Sequence, residues 1–335
     1  VAATRELKQG DILVPQPSVF EEFCSGFSFT ETDDQERAIN DVIDDLGSGR
    51  PMDRLVCGDV GFGKTEVALR AAFIAAMDGK QVAVVVPTTL LSRQHARVFQ
   101  LRFADFPIQV RQLSRLVPKN EIEETKIGLE SGQIDIVIGT HALLGQSIKF
   151  DRLGLLIIDE EQHFGVVHKE HLKSLKNNVH VLTLTATPIP RTLQMALTGV
   201  RQLSLITTPP VDRLAVRTFI LPYDPVVVRE AIHRERYRGG QIFYVCPRVS
   251  DLSHIELELR ELVPDLRIVR AHGQMPPKKL EDVMNAFYEG KYDLLLATNI
   301  VESGLDLPNV NTIILHRSDM FGLSQLYQLR GRIGR

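Results

Sequence analysis

Residues 54–77 read "RLVCGDVGFGKTEVALRAAFIAAM", and the order of features in that stretch decides the fold. A short apolar run ends in "GDVGFGKT" (58–65), which fits G-x-x-x-x-G-K-[ST], and a helix-forming run follows it. Strand, glycine loop and helix in that order make a phosphate cradle. Gly58, Gly61 and Gly63 let the backbone curl until its N–H groups point at phosphate oxygens, and the helix N-terminus adds partial positive charge. The loop also contains Asp59, Val60 and Phe62, and it enters the helix through Lys64, Thr65 and Glu66. Lys64 is placed to reach the β- and γ-phosphates, and the Thr65 hydroxyl to ligate Mg²⁺. In this context the stretch is specific for a nucleoside triphosphate.

The same alternation continues outward. Runs that read as buried strands are "RLVC" (54–57), "VAVVV" (82–86), "IDIVI" (134–138), "LLII" (155–158) and "VLTL" (181–184). A second series comprises "VRTFIL" (216–221), "IFYVC" (242–246), "RIVRA" (267–271), "DLLLA" (293–297) and "TIIL" (312–315). Most are continuous rather than alternating, as expected when helices cover both faces of a parallel sheet. Between the series lies "TTPPVDR" (207–213), where Pro209 and Pro210 break any element. The expected fold is therefore α/β, with two lobes of mainly parallel sheet at 29–208 and 209–335. Residues 1–28 hold Pro15 and Pro17 without a consistent period, and are expected to form a linker segment.

One internal echo supports two related lobes. "GQIDIVIGT" (132–140) and "GKYDLLLAT" (290–298) share Gly, an Asp three residues on, an apolar run and a closing Thr. Thr140 and Thr298 fall at the carboxyl ends of strands, where open α/β sheets place ligand contacts.

Bulk composition excludes several classes. The formal net charge of -3 over 335 residues carries no global basic excess, so a nucleic-acid partner would be met by local patches. No apolar run approaches the roughly 20 residues that span a bilayer, so no membrane role is expected. Cys24, Cys57 and Cys246 show neither metal-ligand nor disulfide spacing, which points to a reducing cytoplasmic setting.

"LLIIDEEQHFG" (155–165) carries two carboxylates to a strand end. Asp159 is placed to hold Mg²⁺, and Glu160 points elsewhere, which suits it to deprotonate the attacking water. No N-K-x-D base-reading element of a GTPase occurs. The closing "QLRGRIGR" (328–335) holds arginines out between glycines. Arg332 and Arg335 are expected to face a triphosphate as transition-state fingers, with Arg330 left to nucleic acid or solvent.

In order, the motifs are "DDQ" (33–35), "GDVGFGKT", "PTTLLSRQH" (87–95), "GTHALL" (139–144), "DEEQ" (159–162), "TATPIPRT" (185–192), "ATNIVESGLDLP" (297–308) and "QLRGRIGR". This set resembles the superfamily-two helicases and translocases over nearly the whole chain. Longer runs such as "DEEQHFGVVHKEH" and "HGQM" are similar to bacterial transcription-repair coupling factors, with the branch-migrating fork-rescue DNA helicases as the neighbouring family. The resemblance implies two RecA-like lobes with a nucleotide cleft between them, closing with ATP and Mg²⁺ on double-stranded DNA. It also implies movement along the duplex without strand separation, displacement of stalled RNA polymerase, and recruitment of nucleotide-excision-repair proteins.

Carried over residue by residue, Gln35 resembles the adenine-reading glutamine. Gln328, Arg332 and Arg335 match γ-phosphate sensors and fingers, and Gly304 and Asp306 match a nucleotide-touching motif. Thr185 and Thr187 match the segment that couples hydrolysis to lobe movement. Thr88, Arg93, Thr140, His272 and Thr298 match positions that touch DNA backbone phosphates, which implies sequence-independent, salt-sensitive binding. Family members continue beyond the closing arginines and carry further domains upstream, so the chain reads as a motor fragment. The alternatives are a fork-remodelling or strand-separating helicase, and a non-cycling ATP-binding interaction module.

Overall fold

The computed structural model describes residues 10–115, 117–145, 147–160, 179–186, 202–210, 216–298, 309–331 and 333, with the side chains of Pro277, Ser324, Tyr327 and Gln328 excepted. The chain divides into two compact units, Val1–Val211 and Asp212–Arg335, just beyond Pro209–Pro210.

The strands of the first unit are β1 (Asp53–Gly58), β2 (Gln81–Val85), β3 (Val110–Leu113), β4 (Ile136–Gly139), β5 (Leu153–Asp159), β6 (His180–Thr185) and β7 (Gln202–Ile206). They form one sheet in the order β3-β4-β2-β5-β6-β1-β7, every ladder parallel. Its helices are α1 (Pro17–Ser25), α2 (Asp33–Gly47), α3 (Lys64–Met77), α4 (Thr89–Arg102) and α5 (Lys119–Glu130). The second unit contains α6 (Pro225–Tyr237), β8 (Gln241–Val245), α7 (Leu252–Leu262), β9 (Ile268–Ala271), α8 (Pro277–Tyr288), β10 (Leu294–Ala297), β11 (Val310–Leu315) and α9 (Leu323–Arg330). Its four strands are parallel, in the order β11-β8-β10-β9.

Three sequence expectations change. "VRTFIL" (216–221) forms no strand, and Phe219, Ile220 and Leu221 are exposed. Its β-branched and aromatic content reads as a strand, yet no described strand pairs with it. Two strands were also missed, β3 ("VRQL") and β7 ("QLSLI"). Both are edges of the seven-stranded sheet, where polar residues interrupt the apolar run. Finally, the stretch expected as a linker contributes Leu13 and Phe23 to the first unit's core. Val19, Phe20 and Phe23 of α1 sit at helical spacing, and Phe23 stacks on Phe73 at 4.2 Å between ring centroids. Phe103 and Phe106 close the aromatic cluster, with the Arg102 guanidinium 4.5 Å from the Phe23 ring centre.

The second unit repeats half of the first. The order β9-β10-β8-β11 reproduces β3-β4-β2-β5, and the echoed segments run into β4 and β10. One glutamine in each unit holds them. Gln81, fully buried, donates from Nε2 to the carbonyls of Leu129 (2.9 Å) and Ile134 (2.8 Å). Gln241 donates to Phe287 (2.7 Å) and Tyr292 (2.8 Å), the same positions relative to Gly132 and Gly290. Asp135 and Asp293 then accept the backbone N–H of Gln109 (2.8 Å) and Arg267 (3.0 Å). The match extends to the strand ends. Ile158 pairs with Val85 as Leu315 pairs with Val245. Two residues further on stand Glu160 (φ 54°) and Arg317 (φ 55°), the two non-glycine residues with positive φ among the described residues.

Gln81 also accepts the N–H of Asp151 (2.9 Å) and Arg152 (3.0 Å), so its amide is fully used. Gln81→Leu removes four hydrogen bonds, two of them to buried carbonyls, and denaturant unfolding is expected to show a loss of about 2–4 kcal/mol.

Candidate active site

Parallel strands put their carboxyl ends on one edge, and β5, β6 and β1 are consecutive in the sheet. Asp159 pairs with Leu184, and Cys57 pairs with Thr185, so the acids, the end of β6 and the glycine loop converge. Gly58 lies against β7, where an added Cβ would stand 3.0 Å from Ile206. Gly61 and Gly63 both take φ 79°, the left-handed conformation the loop needs.

Lys64 Nζ donates to the carbonyls of Gly58 (2.7 Å) and Asp59 (2.8 Å), folding back over its own loop. Burial pushes its ammonium down from the usual lysine range, and the nearby charges of Asp159 and Glu160 oppose that shift. A further anion in the cradle would add to that opposition. Val60 N–H is held by Asp59 Oδ1 (2.8 Å), so Asp59 shapes the turn.

Glu160 leaves β5 in its left-handed turn, a conformation costing roughly 1–3 kcal/mol. Its N–H donates to the Leu184 carbonyl (2.9 Å), Oε1 accepts the Ala186 N–H (3.0 Å) and Oε2 faces the Thr185 hydroxyl (3.4 Å). The turn thus aims Glu160 at the end of β6, away from Asp159. Asp159 has a partner that sequence reasoning missed: His95 Nε2, from α4, lies 3.4 Å from its Oδ2. The signal was available in "SRQH" (92–95).

Gln35 sits at the start of α2 in a capping box with Thr32. Its Oε1 accepts the Thr32 N–H (2.9 Å), and its own N–H donates to Thr32 Oγ1 (3.3 Å). Gln35 Nε2 donates to the Phe62 carbonyl (2.9 Å) and braces the loop. Of the amide's two donors and two lone pairs, one of each remains. Glu66, expected among the nucleotide-binding residues, commits its carboxylate to ion pairs. Its carboxylate is buried, with Oε1 2.9 Å from both Arg70 Nε and Arg102 Nη2. An acid in that position balances two guanidinium groups.

Residues 32–196 match the DEAD/DEAH box helicase family, and residues 225–335 match the helicase conserved C-terminal domain. The chain belongs to the superfamily-two helicases. These are ATP-hydrolysing, helicase-like enzymes, and the two RecA-like α/β units are their shared fold. Over its whole length the chain is similar to transcription-repair-coupling factors. It is 54% identical over 339 residues to that of Rickettsia bellii (100% of this chain, 30% of that protein). It is 55% identical over 335 residues to that of Myxococcus xanthus (100% and 28%). The chain therefore spans less than a third of these curated relatives. A solved structure of RecG bound to a three-way DNA junction superposes with a TM-score of 0.86 at 37% identity, covering 99% of this chain and 45% of that one.

The expected DNA-facing residues of this helicase core are scattered along strand ends. Thr88 caps α4, its Oγ1 accepting the Leu91 N–H (3.2 Å), and Arg93 is exposed one turn later. Thr140 and Thr298 follow β4 and β10 at matched positions, each 8% exposed. His272 follows β9, and its Nδ1 is buried with no hydrogen-bond partner among the described residues. Gln328 lies on α9. Thr187, Gly304, Asp306, Arg332 and Arg335 lie outside the described residues. No helix among the described residues is long and apolar enough to cross a membrane.

An added Cβ at Gly63 would collide with Gln35 Nε2 as well as strain the turn. Gly63→Ala is expected to weaken nucleotide binding at least tenfold in a fluorescent-nucleotide titration. Gly79→Ala, at φ 75° but in open space, is expected to leave affinity unchanged while costing about 1–2 kcal/mol of stability.

Proposed function

We propose that this chain is an ATP-driven motor for double-stranded DNA, moving along the duplex without separating its strands. The observation that carries the hydrolytic part is the pair at the end of β5: Asp159 near Lys64, and Glu160 turned off the strand and hung from Thr185 and Ala186. The oxygen set of Thr65 and Asp159 fits Mg²⁺, which takes one or two protein ligands and completes its shell with phosphate and water. When bound there, the ion would neutralise charge on the β- and γ-phosphate oxygens.

Lys64 leaves its two carbonyls and turns to the phosphates. Glu160 takes a proton from water; that oxygen bonds to the γ-phosphorus as the bond to the ADP oxygen breaks. Because Glu160 is held by Thr185 and Ala186, a change at the acid reaches the coupling segment directly. Gln35 keeps one donor and one acceptor, the complement of adenine N7 and N6–H. Gly304 and Asp306 complete the nucleotide contacts, and Gln328, Arg332 and Arg335 stabilise the transferring phosphoryl group. Thr187 belongs with Thr185 in coupling.

The DNA part rests on the relatives' names, on the junction-bound RecG, and on matched threonines at the ends of β4 and β10. Thr88, Arg93, Thr140, His272 and Thr298 would grip backbone phosphate in a salt-sensitive manner. In a longer protein of the relatives' kind, the motor would push a stalled RNA polymerase and serve nucleotide-excision repair in the cytoplasm.

Steady-state ATP hydrolysis with duplex DNA, single-stranded DNA or RNA tests this reading. Turnover is expected to rise with duplex and to vanish in Lys64→Ala. Glu160→Gln is expected to retain ATP and lose at least about a hundredfold in rate. Preferential stimulation by single strands would instead establish a strand-separating helicase. Binding without turnover under every condition would establish a non-cycling module.

A further inference from the structure

Asp34 stands beside Gln35 at the start of α2, almost wholly buried. Its Oδ2 accepts the Thr207 N–H (2.8 Å), the Thr207 hydroxyl (2.7 Å), the Thr208 N–H (2.9 Å) and the Thr208 hydroxyl (3.0 Å). Its Oδ1 takes Arg37 Nη2. The two threonines follow β7 directly and precede Pro209–Pro210, where the chain leaves the first unit. Both threonines are exposed, so water stands ready to replace this carboxylate.

These contacts close a circuit around the phosphate loop. Gln35 holds the Phe62 carbonyl near the loop's end, and Ile206 packs on Gly58 at its beginning. Asp34 joins the two sides, since Gln35 is its neighbour and Thr207 is the neighbour of Ile206. A connector pulled at Pro209 cannot move without displacing β7's end or breaking hydrogen bonds to a buried anion. Bonds to a charged acceptor are roughly twice as strong as those of a neutral strand-end cap. We propose that Asp34 is a positioning residue that latches the connector to the nucleotide loop, so that motion of the chain between the units is felt at the nucleotide. This rests on the reading of 58–65 as the ATP site. The latch stays charged at neutral pH, because its threonine donors hold the carboxyl well below the usual carboxylate range.

The test uses the full chain with dyes on Ile127→Cys and Leu257→Cys, both exposed, in a Cys24→Ser background that leaves Cys57 and Cys246 buried. Single-molecule energy transfer without nucleotide reads the spread of distances between the units. Asp34→Asn and Thr207→Val/Thr208→Val are each expected to broaden that spread. Each should also lower duplex-stimulated kcat at least fivefold while keeping the ATP Kd within twofold. Thr207→Ser/Thr208→Ser keeps all four donors and is expected to restore both. Should Asp34→Asn fail to fold, the threonine variants decide alone. An unchanged spread and unchanged kcat, with only a lowered Tm, would overturn the latch and leave a strand-end cap. A parent chain that binds no ATP would overturn the nucleotide reading instead, and the distance arm would still decide whether Asp34 holds the connector.

Discussion

A buried ammonium beside two carboxylates is the constraint on which the first unit is organised. Lys64 loses hydration inside the loop and recovers part of that loss from the carbonyls of Gly58 and Asp59. Such an arrangement persists only if the backbone around it is held elsewhere. The surrounding contacts do that: Gly58 is pinned on Ile206, Phe62 on Gln35, and α3 continues the loop as a helix whose first turn is anchored by Glu66 to Arg70 and Arg102. The ion network beneath the loop and the aromatic cluster around Phe23 are one support. Arg102 belongs to both, contacting Glu66 through Nη2 and the Phe23 carbonyl through Nη1 (2.9 Å).

The repeat explains why charge is distributed so differently over related frameworks. β2, β3, β4 and β5 have counterparts in β8, β9, β10 and β11, down to the buried glutamines and the left-handed residue two positions past the last matched pair. At that position the first unit has Asp159–Glu160 and the second has His316–Arg317. The backbone strain is common to both, so it belongs to the framework and not to hydrolysis. Function entered through the side chains placed on it. Among the described residues the second unit has no counterpart of β1, the strand that leads into the phosphate loop.

Much of this was legible in the sequence, for identifiable reasons. Central strands such as "VAVVV" and "LLII" are continuous because both faces are covered, and the glycine loop is legible because φ near 79° excludes other residues at Gly61 and Gly63. Edge strands were lost for the opposite reason: "VRQL" and "QLSLI" alternate with polar residues. "VRTFIL" misled because strand propensity reports side-chain shape, whereas a strand also needs a neighbour. The site divides in the same way. Lys64 is set by spacing along one local segment, and Asp159 and Glu160 by spacing along another, but His95 reaches Asp159 only through the packing of α4 across the sheet. The ion pairs of Glu66 were illegible because adjacency to the loop in sequence says nothing about which partners a carboxylate takes.

The pair Asp34–Gln35 shows how far that limit extends. They are neighbours at a helix start, and Gln35 caps that helix with Thr32. A helix of 15 residues needs only one such box. Asp34 is therefore spare for the helix, and nothing in its local sequence says what a buried carboxylate there should meet. Its threonine partners lie more than 170 residues downstream and are brought back only because β7 pairs with β1. The crossover that completes the sheet is thus what sets the end of the first unit against the residue next to Gln35. The route from nucleotide loop to connector follows from the strand order, with Gln35 on the loop and its neighbour Asp34 on the connector.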